Sequence, residues 1–123
     1  MNYLEALNVL NGHGGITLEH GTELRYNEGN IALSYRDHDI MAWDMDGTLS
    51  LSMVSELPLS WSMRRVFMAR MNKYLPLGWR VVHLVGNTWN LELHKEWEGT
   101  ERKIWMFYDG IALKGGDVVS LPF

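Results

Sequence analysis

Cysteine is absent from this 123-residue chain. Its absence excludes disulfides, zinc–thiolate centres and thiol nucleophiles, and it suits a reducing compartment. Long apolar runs are missing too. None approaches the roughly 20 residues that a membrane-spanning helix needs, and the first residues have neither a basic head nor an apolar stretch. The expectation is a cytoplasmic chain with no signal peptide and no membrane partner. No low-complexity segment or internal repeat is visible, so residues 1–123 read as a single domain, long enough for a real core. The most local absence is of acid. From Leu57 to Leu91 there is no Asp or Glu, while Arg64, Arg65, Arg70, Lys73 and Arg80 all lie there. The remainder holds six bases against fifteen acids, so the formal charge of −4 conceals a basic segment in an acidic protein. Such a segment either presents a face to a partner or pairs with acids elsewhere in the fold.

Several catalytic signatures are also missing. No Gly-x-Ser-x-Gly elbow occurs, and no Ser-His-Asp set stands out. Gly12-His13-Gly14-Gly15 lacks the Gly-Lys-Ser/Thr of a phosphate loop and reads as a helix stop. The five histidines (His13, His20, His38, His83 and His94) show no i, i+4 pair, so a helical metal site is not expected. Asp37-His38-Asp39 reads as a polar turn, and His83 and His94 share one exposed hairpin face, at opposite ends of about five residues of strand.

What is present is a heavy load of large side chains: six Trp, five Tyr and eight Met. Hydrophobic periodicity divides the chain into elements. A short helix is expected over 2–10, with Tyr3, Leu4, Leu7 and Leu10 as its apolar stripe and Asn11-Gly12 as its stop. Strands are expected at 16–19, 22–27, 30–36, 39–45 and 48–54. The last two flank Asp46-Gly47, which reads as a two-residue hairpin turn. That register puts Ile40, Ala42, Leu49, Leu51 and Met53 on the core face.

The main helix is expected at about 60–75, capped by Ser60 or Ser62, with Met63, Phe67, Met71, Tyr74 and Leu75 buried. Pro76 and Gly78 stop it. A second hairpin, 79–85 and 88–94, turns at Gly86-Asn87, with Val82, Leu84, Trp89, Leu91 and Leu93 inward. A charged loop over 95–101, a strand at 102–108 and short strands near 111–114 and 118–119 complete the chain. The fold class is α+β: antiparallel hairpins packed against one main helix.

Asp44-Met45-Asp46-Gly47-Thr48-Leu49 is similar to the nucleophile signature of the haloacid-dehalogenase phosphatases. That resemblance would make Asp44 the nucleophile and Asp46 the acid/base around Mg²⁺. The family also needs a parallel sheet and a later acidic pair. Only Lys114 and Asp117 follow in the right order, so the match is expected to be fortuitous.

A second resemblance covers residues 40–113. Asp46-Gly47, Arg70-Met71-Asn72, Leu75-Pro76-Leu77-Gly78-Trp79-Arg80-Val81, Trp89 and Asp109-Gly110 follow the order of small accessory proteins encoded by tailed bacteriophages, which share a β-β-α-β-β core. It implies a phage protein acting in the bacterial host cytoplasm and brings no catalytic residues. The resulting expectation is a non-enzymatic protein, without cofactor or metal, that binds and inhibits a host defence or nucleic-acid enzyme. Trp61, Arg64, Arg65, Arg70 and Lys73 are the expected contact residues. The alternative is binding of nucleic acid or an anionic nucleotide, with Trp61, Trp79, Trp97 or Trp105 stacking on bases. Self-association stays open.

Overall fold

The computed structural model describes residues 1–52, 61–85, 88–94 and 102–120, with Trp61 and Ser62 described in their backbone only. The expected cap at Ser60 or Ser62, the Gly86-Asn87 turn, the 95–101 loop, Met53 and Trp97 lie outside these described parts. The fold is α+β, as expected, with mainly antiparallel strands.

Helix α1 (Tyr3–Leu10) opens on a capping box: the Asn2 side chain accepts from the Glu5 N–H, and the Glu5 carboxylate accepts from the Asn2 N–H. Asn11 closes it in the left-handed conformation, φ 48°. Its buried face differs from the expected stripe. Ala6 and Leu10 are fully covered and Tyr3 is half-buried, whereas Leu4 is 67% exposed and Leu7 is also open. The small Ala6 lets the helix lie close on the sheet, and a count of large apolar residues misses it.

Seven strands form one antiparallel sheet: β1 (Gly15–Glu19), β2 (Thr22–Asn27), β3 (Asn30–Tyr35), β4 (His38–Trp43), β5 (Leu49–Leu51), β9 (Ala112–Lys114) and β10 (Asp117–Val118), in that order. Its inner face carries Leu24, Ile31, Leu33, Tyr35, Met41, Trp43, Leu49, Leu51 and Leu113, all buried. The expected register of β4 and β5 is off by one residue. Asp44 N–H donates to Thr48 O at 2.9 Å and Gly47 N–H to Asp44 O at 3.0 Å. The loop is therefore Met45-Asp46-Gly47, a type I turn ending on a glycine at φ 93°. Trp43 consequently faces Leu49 and Met41 faces Leu51. Since side chains alternate with period two, the slip sends Met41 and Trp43 inward and Ala42 to the outer face. Ile40 stays buried because a bulge between Leu33 and Ser34 leaves it unpaired in the register.

Helix α2 (Trp61–Tyr74) buries Phe67, Met68 and Met71, with Leu75 just beyond it. Phe67 packs edge-on against Tyr35, centroids 5.3 Å apart, which docks the helix on the large sheet. The chain then turns at Gly78, where φ is 91° and a Cβ would lie 2.8 Å from His94 O. Only glycine fits there.

A second sheet follows, β6 (Trp79–His83), β7 (Trp89–His94) and β8 (Arg102–Met106), with β7 central. The same slip recurs. Leu84 N–H donates to Thr88 O, leaving three positions between them, and Trp79 faces Leu93 while Val81 faces Leu91. The inner face is Trp79, Val81, Trp89, Leu91 and Leu93, not Val82 and Leu84; Leu84 is 47% exposed. Trp79 also stacks on Trp105 at 5.3 Å.

Asn72 of α2 docks this sheet. Its side-chain Nδ2 donates to Val81 O at 2.8 Å and its Oδ1 accepts from Val81 N–H at 2.6 Å. One amide thus satisfies both outward groups of an edge residue. No helix among the described residues is long and apolar enough to cross a membrane.

Candidate interaction face on the three-stranded sheet

The basic helix is turned largely toward its own fold. The Glu19 carboxylate on β1 receives an ion pair from Arg70, a hydrogen bond from the Tyr74 hydroxyl, and the Lys73 ammonium at 2.6 Å. The Arg70 guanidinium also lies 4.8 Å from the centre of the Tyr35 ring. Burial pushes the Tyr74 hydroxyl above its ordinary pKa, against the opposing pull of Arg70. Of the expected contact residues, Arg70 and Lys73 are therefore engaged in joining β1 to α2. Arg64 is half-buried, and Arg65 is exposed yet also engaged in an interaction. The side chain of Trp61 lies outside the described part.

The Asp-x-Asp-Gly-Thr stretch is a turn. Asp46 Oδ1 accepts from the Thr48 N–H at 2.9 Å, and Lys114 stands 3.8 Å from the other oxygen. Those contacts, led by the Thr48 backbone, hold the Asp46 pKa below the usual carboxylate value. A proton donor at neutral pH needs the opposite shift. All paired strands here are antiparallel, so the parallel sheet of the phosphatases is not formed among the described residues. No group of three His, Asp or Glu side chains among them is placed to hold a metal ion.

The histidines separate. His83 lies on the inner face, its ring centroid 4.5 Å from that of Trp89. His94 points to the outer face, so the two do not share a strand face as expected. Asp37 sits at φ 66° in the β3–β4 turn, and Asp39 pairs with Arg25 at 3.4 Å.

The outer face of the small sheet is built differently. Glu92, in the central strand, is only 4% exposed, an unusual place for a carboxyl group. Around its Oε1 stand His94 Nε2 at 3.2 Å, Arg102 Nη1 at 3.5 Å and Arg80 Nη2 at 3.8 Å. Each strand supplies one of these groups. The ladder places them together: Arg80 faces Glu92, which faces Ile104, and His94 faces Arg102. Burying a carboxylate is costly unless neighbouring charges and donors compensate it. Here the two arginines are about half open, so they compensate Glu92 and still face solvent.

Beside this network lie apolar side chains that the core does not take. Ile104 is 47% exposed, Met106 71% and Leu84 47%, and Val82 on β6 is half-buried. The registers Arg80–Glu92–Ile104 and Val82–Asn90–Met106 put them on one face. The apolar side chains thus flank the polar residues Asn90 and Glu92 of the central strand, and exposed apolar groups beside arginines are the composition of a protein-binding surface.

Sequence reasoning missed Glu92, Arg102, Ile104 and Met106 as a group. The available signal was Lys103-Ile104-Trp105-Met106-Phe107, a strand apolar on both faces. Tryptophan, by contrast, is mostly core: Trp43, Trp79 and Trp89 are buried and Trp105 is half-buried against Trp79. Trp79 is thus no platform for bases.

Charge is segregated in space as well as in sequence. Among the described residues, α1, the large sheet and their loops carry ten acids and three bases, whereas α2 and the small sheet carry seven bases and a single acid, Glu92. Comparisons with models of known protein families, with curated proteins and with solved structures find no match.

Proposed function

We propose that this chain is a non-catalytic binding protein that docks on an acidic patch of a host protein and blocks it, the role implied by the phage-like layout. The observation that supports this most is the outer face of β6–β8, where Leu84, Ile104 and Met106 lie open beside Arg80 and Arg102. The contact residues move accordingly from the helix to the small sheet. The exposed apolar residues would supply most of the affinity, and the arginines the orientation and the approach rate.

The test is capture of partners from a bacterial lysate by three tagged proteins: wild type, Arg65→Glu, and the double variant Arg80→Ser with Leu84→Ser. A stoichiometric protein held by the first two and lost by the third supports this reading. Equal capture by all three, with folding verified, overturns it.

A second reading is nucleic-acid binding, favoured by the excess of base on α2 and the small sheet. It predicts oligonucleotide affinity falling steeply with salt. Phosphoester hydrolysis that needs Mg²⁺ and is lost in Asp44→Asn would defeat the non-enzymatic reading altogether.

A further inference from the structure

The two edges of the small sheet are treated differently. At β6 the outward N–H and C=O of Val81 are both taken by Asn72. At β8 no described residue takes them. Phe107 N–H donates to Trp89 O, which makes Trp89–Phe107 a hydrogen-bonded pair. By alternation the backbones of Lys103 and Trp105 also turn toward β7, and those of Arg102, Ile104 and Met106 turn away from it. No described residue bonds the outward groups of Arg102, Ile104 or Met106. A row of open donors and acceptors on a five-residue edge strand is a template for another strand.

The geometry points to a second copy of this chain as the occupant, with β8 pairing antiparallel to its counterpart about a twofold axis at Ile104. The register is self-complementary. Ile104 faces its own copy in a pair that exchanges both backbone bonds, and Arg102 faces Met106 in bonded pairs on either side. Lys103 then stands opposite Trp105, close enough for a cation to lie on the ring. No like charges are opposed, although two of the strand's five residues are basic. A register moved by two residues pairs only three of the five residues, and moved toward Arg102 it also sets Lys103 against its own copy. The outer apolar face would continue across the axis, so Ile104 and Met106 of both copies form one surface. The dimer stands independently of the host-partner reading, because it requires no other protein.

The experiment is sedimentation equilibrium of the purified chain over a wide concentration range, with three variants. Ile104→Pro removes an outward N–H while leaving the bonds of Trp105 and Lys103 to β7; proline is tolerated on an edge in this orientation. It should render the protein monomeric with its circular dichroism unchanged. Ile104→Lys opposes two ammonium groups at the axis and should weaken the dimer by at least about tenfold, which also covers the case in which the proline variant does not fold. Met106→Glu sets a carboxylate opposite Arg102 on both sides of the axis and should tighten it by about threefold or more. A wild type that stays monomeric throughout, or a dimer indifferent to the Ile104 and Met106 changes, overturns the proposal. Pairing of this edge with a foreign strand only would appear as a monomer here.

Discussion

The seven-stranded sheet and the three-stranded sheet solve the same problem with different outer faces. In the large sheet the transverse row Arg25, Ala32, Ala42, Ser50 and Ala112 crosses five strands with small side chains beyond its one arginine, and the acids sit mostly in loops and turns. Its inner face carries the largest single share of the core. In the small sheet the inner face is aromatic, and the outer face holds a buried glutamate ringed by basic groups beside exposed isoleucine and methionine. The first arrangement is a scaffold. The second keeps charge and apolar surface where a stable fold alone does not need them. Helix α2 joins the two, bonded to the large sheet through Arg70, Lys73 and Tyr74 at Glu19 and to the small one through Asn72.

If the large sheet is the scaffold, removing its biggest buried side chain should hurt most. Trp43→Ala is expected to cost about 3–5 kcal/mol, read as a fall in the urea midpoint. Trp105→Ala, at a half-buried position of the small sheet, should cost clearly less. Equal losses would erase the distinction.

The link to α2 comes next. Arg70→Glu sets a second carboxylate against Glu19 in a site about three-quarters buried, and should cost about 2–3 kcal/mol after allowance for solvent screening. For that reason, reversing the helix charges is not a clean test of binding. A folded Arg70→Glu with an unchanged midpoint would return this residue to the list of free contacts. Asn72→Ala strands both outward groups of Val81 and should cost about 1–3 kcal/mol. Hydrogen exchange should then accelerate in β6 more than in β2 or β3.

The smallest effect is at the hairpin tip. Because the Asp46 pKa is lowered on folding, its contribution is present above the unfolded value of 3.8 and is lost as pH falls through the lower, folded value. Asp46→Asn should therefore melt slightly below wild type at neutral pH. The gap should close in acid, below the folded pKa. A gap that widens in acid would contradict the turn role.

Much of the architecture was legible because it is local. Asn11 with Gly12, Asp46 with Gly47 and the stop at Pro76 and Gly78 announce their elements within a few residues. Both hairpins were legible too, yet each was misregistered by one residue, since Asp46-Gly47 and Gly86-Asn87 suit two-residue and three-residue loops alike. A single loop position reverses which side chains are buried, and only packing against the other layers separates the two outcomes. Met41 and Trp43 against Leu49 and Leu51 bury more apolar surface than Ala42 would.

The candidate face was hidden for a stronger reason. Glu92, Arg80 and Arg102 lie on three strands, and nothing in their spacing brings them together. The basic segment itself was plain in the sequence, but its partner was not, because Glu19 lies more than fifty residues before Arg70. The sequence alone determined the class of fold, the order of its elements and the division of charge, all of which follow from composition and short-range periodicity. Tertiary structure decided which bases are spent on Glu19, which surround Glu92 and which apolar side chains stay open, since each depends on registers and distances that no local pattern encodes.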